Sequence, residues 1–183
     1  MTDMHIFEDA LRHTLGIEGG FTDDPADSGG ATNWGITEGE ARAFGYEGDM
    51  KSLPISTAKA IYRTNYWDKL SLDDVADLSA DIALELFDTG VNCGTGFAGK
   101  SLQQALNVFN HQGKDYPDLK VDGLIGNGTM AALLSYLAHR GVEGEVVLMR
   151  ALNAIQGARY IDIAERRPKD ERFIYGWFLN RVG

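Results

Sequence analysis

Apolar residues recur at three- and four-residue steps along most of this chain, and that period commits it to packed helices. Phe7, Leu11 and Leu15, with Ile6 and Ala10 alongside, predict a helix over 4–16. Ala60, Ile61, Tyr62, Tyr66 and Trp67 continue the pattern after Pro54, with Ser56 as the expected N-cap. Ser79 is placed to cap the next stripe, Ile82, Ala83, Leu86, Phe87 and Val91. Phe97, Leu102, Ala105, Leu106 and Phe109 mark a helix over 96–111. Met130, Leu133, Leu134 and Leu137 mark another over 127–140, ended by Gly141. A long helix is expected over about 143–166 and a short one from near Asp170, bearing Phe173, Ile174, Trp177 and Phe178. Residues 20–37 break the period. Asp23-Asp24-Pro25, Asp27-Ser28-Gly29-Gly30 and the run to Thr37 are turn chemistry, which predicts a small β-hairpin or loop. Thr37, with Glu40 three residues on, forms a capping box for a helix to about residue 44. The fold class is therefore mainly α with one small β element near 20–37.

With 183 residues the chain can bury one core, or one domain and an appended lobe. Cys93 is its only cysteine, so no internal disulfide can staple it and packing must suffice. A small buried residue explains Cys93 better than a nucleophile, since Asn92 and Gly94 beside it carry no thiol-activating pattern. The formal net charge of -10 leaves no basic face for nucleic acid. The densest cationic stretch, Arg166, Arg167 and Lys169, is flanked by Glu165 and Asp170 and reads as a solvated helix end. His5, His13, His111 and His139 lack ligand spacing, so no metal is expected, and no cofactor is implied. The N-terminus has no basic and apolar leader, and no run of about 18 apolar residues exists to insert in a membrane. Synthesis in the cytoplasm without a signal peptide is the expectation. The softest seam is the polar loop Gly113–Asp118, which suggests lobes of 1–112 and 113–183 packed as one globular unit.

Glu18 lies where the first helix ends among Gly16, Gly19 and Gly20. A carboxyl at a helix C-terminus, flanked by Ile17 and Phe21, is in a setting that disfavours its charge. That is what a general acid needs when a glycosidic bond is cleaved. Asp27 and Thr32 follow at nine and five residues further on. An acid with a nearby hydroxyl can hold a water, as an inverting hydrolysis requires with its carboxyl groups roughly 6.5–9.5 Å apart. Asp-Ser-Gly-Gly is equally a plain turn, and both residues can be turn stabilisers.

Ile17-Glu18-Gly19-Gly20-Phe21, Pro25, Asp27, Gly29-Gly30-Ala31-Thr32-Asn33 and Gly35-Ile36-Thr37 closely resemble the opening signature of the glycoside hydrolase family 108 muramidases. Ala60-Ile61-Tyr62-Arg63 with Tyr66-Trp67-Asp68, and Phe87-Asp88-Thr89-Gly90-Val91-Asn92-Cys93-Gly94, look like its second and third blocks. Asp122-Gly123-Leu124-Ile125-Gly126 with Thr129 resembles the companion peptidoglycan-binding segment, and Gly176-Trp177 with Asn180-Arg181-Val182 the usual ending. The resemblance implies a lysozyme-like helical fold, N-acetylmuramidase activity on bacterial peptidoglycan and Glu18 as the catalytic acid. Glu18, Asp27 and Thr32 are also spaced like the triad of phage-type lysozymes, with the last step one residue shorter. Tyr66 and Trp67 can stack on sugar rings or pack in the core. Asn92 can hydrogen-bond an N-acetyl group or end its helix.

Two rival readings remain at this level: a lytic transglycosylase, which uses one acid and no water-holding Asp, and a non-catalytic wall-binding structural or effector protein. The lytic reading is that of an endolysin or antimicrobial muramidase acting in the periplasm or wall after release. It calls for a holin or a secretion machine for export, and an injected effector would add an immunity protein. Long-range charge would not steer so acidic a protein to an anionic wall, so recognition has to come from a shaped cleft.

Overall fold

The computed structural model describes residues 3–15, 20–22 and 31–183. The chain divides into two compact units, Met1–Lys69 and Leu70–Gly183.

In the first unit, α1 (Asp3–Leu15) buries Phe7, Ala10 and Leu11 as one stripe. The helical period therefore holds, and the interruption after it is where β structure appears. Two strands of two residues, β1 (Thr32–Asn33) and β2 (Ile36–Thr37), pair antiparallel with Thr32 opposite Thr37 and Asn33 opposite Ile36. Trp34 and Gly35 make the turn with φ of 54° and 73°, the positive pair that a two-residue hairpin matched to strand twist requires. Gly35 meets this without strain. Trp34 does not, and a left-handed non-glycine residue costs of order 1–3 kcal/mol. Its position is held from two sides: the indole Nε1 donates to the Leu53 carbonyl at 2.9 Å, and its own carbonyl accepts from the Tyr62 hydroxyl at 3.2 Å.

The hairpin runs into α2 (Glu38–Ala43) through the capping box anticipated above, in which Thr37 caps the Glu40 N–H and Glu40 caps Thr37. Further on, α3 spans Ile55–Tyr62. Ser56 is not its cap. Pro54 occupies that position in extended conformation, and its carbonyl accepts from the N–H groups of Thr57 and Ala58. The fixed φ of proline makes it the last extended residue, which puts Ser56 inside the first turn. The helix then widens into a π turn, Arg63–Trp67, and tightens over Asp68–Leu70.

The second unit is wholly helical among its described elements. α4 (Leu72–Leu78), α5 (Ala80–Cys93), α6 (Thr95–Phe109), α7 (Asn127–Arg166) and α8 (Glu171–Arg181) follow in order. α4 was not expected, because seven residues carry too few apolar repeats to register. α5 is the central member and packs against α4, α6 and α7. Its Ile82, Leu86 and Phe87 are fully buried, and Ser79 caps it by accepting from the Ile82 N–H at 3.1 Å. Gly141, at φ 59° and ψ -151°, breaks α7 where the sequence placed a helix end.

The polar loop at 113–118 is not where the compact units divide. It belongs to the crossing between α6 and α7, inside the second unit, and α6 pins that crossing along its length. Asn107 donates to the Leu119 carbonyl and accepts from its N–H; Gln103 does the same with Leu124 and Gly123. A methyl on Gly99 would lie 2.2 Å from the Gly123 carbonyl oxygen, so only glycine permits this approach.

Candidate active site

Glu18 and Asp27 lie outside the described residues, so the site is built from the frame that flanks them. Thr22 and Thr32 stand on either side of the segment holding Asp27. Each donates its N–H to the other's carbonyl at 2.8 Å. That isolated bridge continues the ladder of β1 and β2. Thr32 is thereby fixed in register, with its backbone committed to Thr22 and its Cα opposite Thr37.

A line of hydrogen bonds leads from this hairpin to the π turn. The Thr37 hydroxyl and N–H both donate to Glu40 Oε2, at 2.8 and 3.1 Å, and the Tyr66 hydroxyl donates to Glu40 Oε1 at 2.6 Å. Both Glu40 oxygens are thus occupied by structural partners. Burial, and then the Glu40 carboxylate beside it, push the Tyr66 phenol well above its ordinary range. Tyr66 is therefore a neutral donor, half-buried, with its ring tilted against Tyr62 at a centroid distance of 5.6 Å. Sequence reasoning found Glu40 as a cap but missed its second bond, because a partner 26 residues away leaves no local signal.

Tyr66 and Trp67 separate clearly. Trp67 is fully buried and meets Phe7 edge-on at 5.3 Å. No face of its ring is open to a sugar. Of the two roles weighed for it, core packing is the one that this burial allows. A π turn inserts an extra residue into the helical winding, and such turns gather at functional sites. Here it lets adjacent aromatics serve the core and the half-exposed edge.

Asn92 belongs to the second unit. It is exposed near the end of α5, and its amide donates to the Asp88 carbonyl at 2.8 Å and to Asp88 Oδ1 at 3.2 Å. Gly94 ends that helix, so Asn92 is not the cap. Asp88 itself was read only as part of a family block. In the structure it is a buried carboxylate paired with Arg181 of α8 and accepting from Gln156 Nε2 at 3.1 Å. Glu85, one turn earlier, is pushed up to about 7 by burial first and by the Asp88 charge second, against a lowering bond from Thr89. Burial likewise pushes the Cys93 thiol up to about 11, which leaves it protonated at neutral pH and a poor nucleophile. Among the described residues no group of three His, Cys, Asp or Glu could hold a metal, and no helix is long and apolar enough to cross a membrane.

Residues 11–94 match the family model described as Glycosyl hydrolase 108, and residues 98–182 match the Predicted Peptidoglycan domain. A search of curated proteins finds no match. Among solved structures, that of Brucella abortus SagA is similar, with 28% identity, a TM-score of 0.68, and coverage of 95% of this chain and 88% of that one. The mainly helical, lysozyme-like architecture with its small two-stranded sheet agrees with this likeness. The first family match spans Glu18, Asp27, the hairpin, the π turn and α5, and the second spans the helices that follow. On this ground the chain matches the glycosyl hydrolase 108 family over residues 11–94 and a peptidoglycan domain over residues 98–182, which together support a glycosidase acting on peptidoglycan.

Proposed function

We propose that this protein is an N-acetylmuramidase that hydrolyses the β-1,4 bond between N-acetylmuramic acid and N-acetylglucosamine. Glu18 is the general acid. Asp27, with Thr32, positions the water that attacks from the opposite face, giving an inverting reaction. The observation that carries the reading is the family match over 11–94, which contains all three residues in the signature described above. The Thr22–Thr32 bridge supports it, since it fixes the backbone of Thr32 in the register of the hairpin.

Tyr66 is the proposed sugar-contacting aromatic of the first unit, and Asn92 a proposed N-acetyl contact of the second. The residues after the catalytic segment serve to hold the wall. The biological role in this reading is bacterial cell lysis, with release by a holin or a secretion machine into the periplasm or wall. An immunity partner belongs to the injected form.

Mass analysis of peptidoglycan digests tests the proposal. Products should carry reducing N-acetylmuramic ends, and Glu18→Gln should abolish their release. Anhydro-muramic ends, with Asp27→Asn retaining most activity, would establish a transglycosylase instead. Wall clearance by Glu18→Gln at the parent rate would remove the enzymatic reading.

A further inference from the structure

The second unit carries a groove of about 580 Å³ that the muramidase reading does not use. Its floor is the face of α7 just after the Gly141 break, with Val142, Val146 and Met149, closed by Val182 beyond α8. Scattered exposed aliphatics are ordinary on a protein surface. Here Val142 is 79% exposed and Val146 45%, and the two lie one helical turn apart on a concave wall. Asp81, Glu145 and Arg150 also line the groove, and Glu145 accepts from the Ser79 hydroxyl. Asp81 and Arg150 form no ion pair among the described residues. The lining contains no aromatic ring.

An apolar trough with Asp81 and Arg150 outside any ion pair, and Glu145 already bonded to Ser79, suits a short chain of small aliphatic groups carrying both an ammonium and a carboxylate. A glycan strand is a poor fit, because sugars are held by aromatic faces and dense hydrogen bonding. The geometry points to the peptide stem of peptidoglycan as the occupant. Its diamino acid ammonium would meet Asp81, its carboxylate would meet Arg150, and its alanine methyls and aliphatic carbons would lie over Val142 and Val146. The inference rests on the peptidoglycan reading above and on the match of residues 98–182 to a peptidoglycan domain. It adds a contact to the stem alongside cleavage of the glycan.

The test titrates a free stem tetrapeptide containing diaminopimelate into the full chain, followed by backbone amide NMR shifts. A matching peptide with its side-chain amine acetylated is run beside it. Saturable shifts are expected at residues 142–153 and 182. Val146→Asp and Arg150→Glu, both at exposed positions, should each weaken binding at least tenfold, and acetylation should weaken it severalfold. Absence of shifts at 10 mM peptide, or shifts elsewhere only, overturns the proposal. Shifts at the same residues that follow protein concentration without peptide would assign the groove to a second copy of the chain and also overturn it. Digestion of intact walls and of amidase-stripped walls separates the two readings. If the parent cleaves both and Val146→Asp is indistinguishable on either, the stem site fails while the glycosidase stands. If the parent cleaves neither, the glycosidase fails, and the peptide titration alone decides the groove.

Discussion

Replacing Glu85 with Gln should change how the stability of the second unit responds to pH. Glu85 sits on α5 with Asp88 one turn away, and Thr89 Oγ1 donates to its Oε1 at 3.3 Å. Burial and the Asp88 charge raise its carboxyl from 4.5 to about 7. The native state therefore keeps a proton that the unfolded chain releases. Stability is full below about 4.5, declines as pH rises towards 7, and is level above it. The displacement corresponds to at most about 3 kcal/mol, because one pKa unit is about 1.4 kcal/mol. Gln reproduces the protonated carboxyl and cannot titrate. The variant should match the parent within about 1 kcal/mol at pH 4.5 and exceed it by up to about 3 kcal/mol at pH 8. Hydrogen exchange of α5 and α7 amides, read by mass spectrometry and corrected for the intrinsic pH dependence of exchange, measures this within the second unit. Equal loss of protection in parent and variant between pH 5 and pH 8 would refute the assignment of the charge penalty to Glu85.

Arg181→Met leaves Asp88 buried beside Gln156 without its cation, so the second unit should lose about 3–5 kcal/mol. Adding Asp88→Asn should recover part of that loss in urea unfolding, and no recovery would show that the pairing is incidental. Gly99→Ala drives a methyl into the Gly123 carbonyl and should cost about 1–3 kcal/mol, seen as a lower thermal midpoint. Trp67→Ala should destabilise the first unit by about 3–5 kcal/mol through the cavity left against Phe7, a stability loss visible in urea whatever its effect on activity. Tyr66→Phe removes only the bond to Glu40 and should cost about 1 kcal/mol, with KM on wall fragments changed less than by Tyr66→Ala.

Local signals were legible wherever partner and target lie within one turn. The Thr37 and Glu40 capping box, the Ser79 cap and the Gly141 break each depend on residues at most four apart, and each stands where its sequence places it. Ser56 misled because Pro54, two residues earlier, is the last extended residue and starts the helix at Ile55, ahead of the hydroxyl. The seam expected at 113–118 misled for another reason. Its residues are polar and turn-rich, yet Gln103 and Asn107 hold the neighbouring crossing from the middle of a helix that otherwise looks like core.

The motif pattern of the sequence put forward Glu18, Asp27 and Thr32 as candidates and, by resemblance, the family that residues 11–94 match. It could not separate Tyr66 from Trp67, neighbours with similar chemistry, because only the π turn decides which ring faces Phe7 and which hydroxyl reaches Glu40. Nor could it find the union of Asp88 with Arg181, since 93 residues of chain separate a pair that stabilises only once three helices have packed. Helical period, caps and turns are short-range properties that the sequence determines by itself. Burial, charge pairing and the raised carboxyl of Glu85 are consequences of water being excluded, and water is excluded only by the tertiary structure.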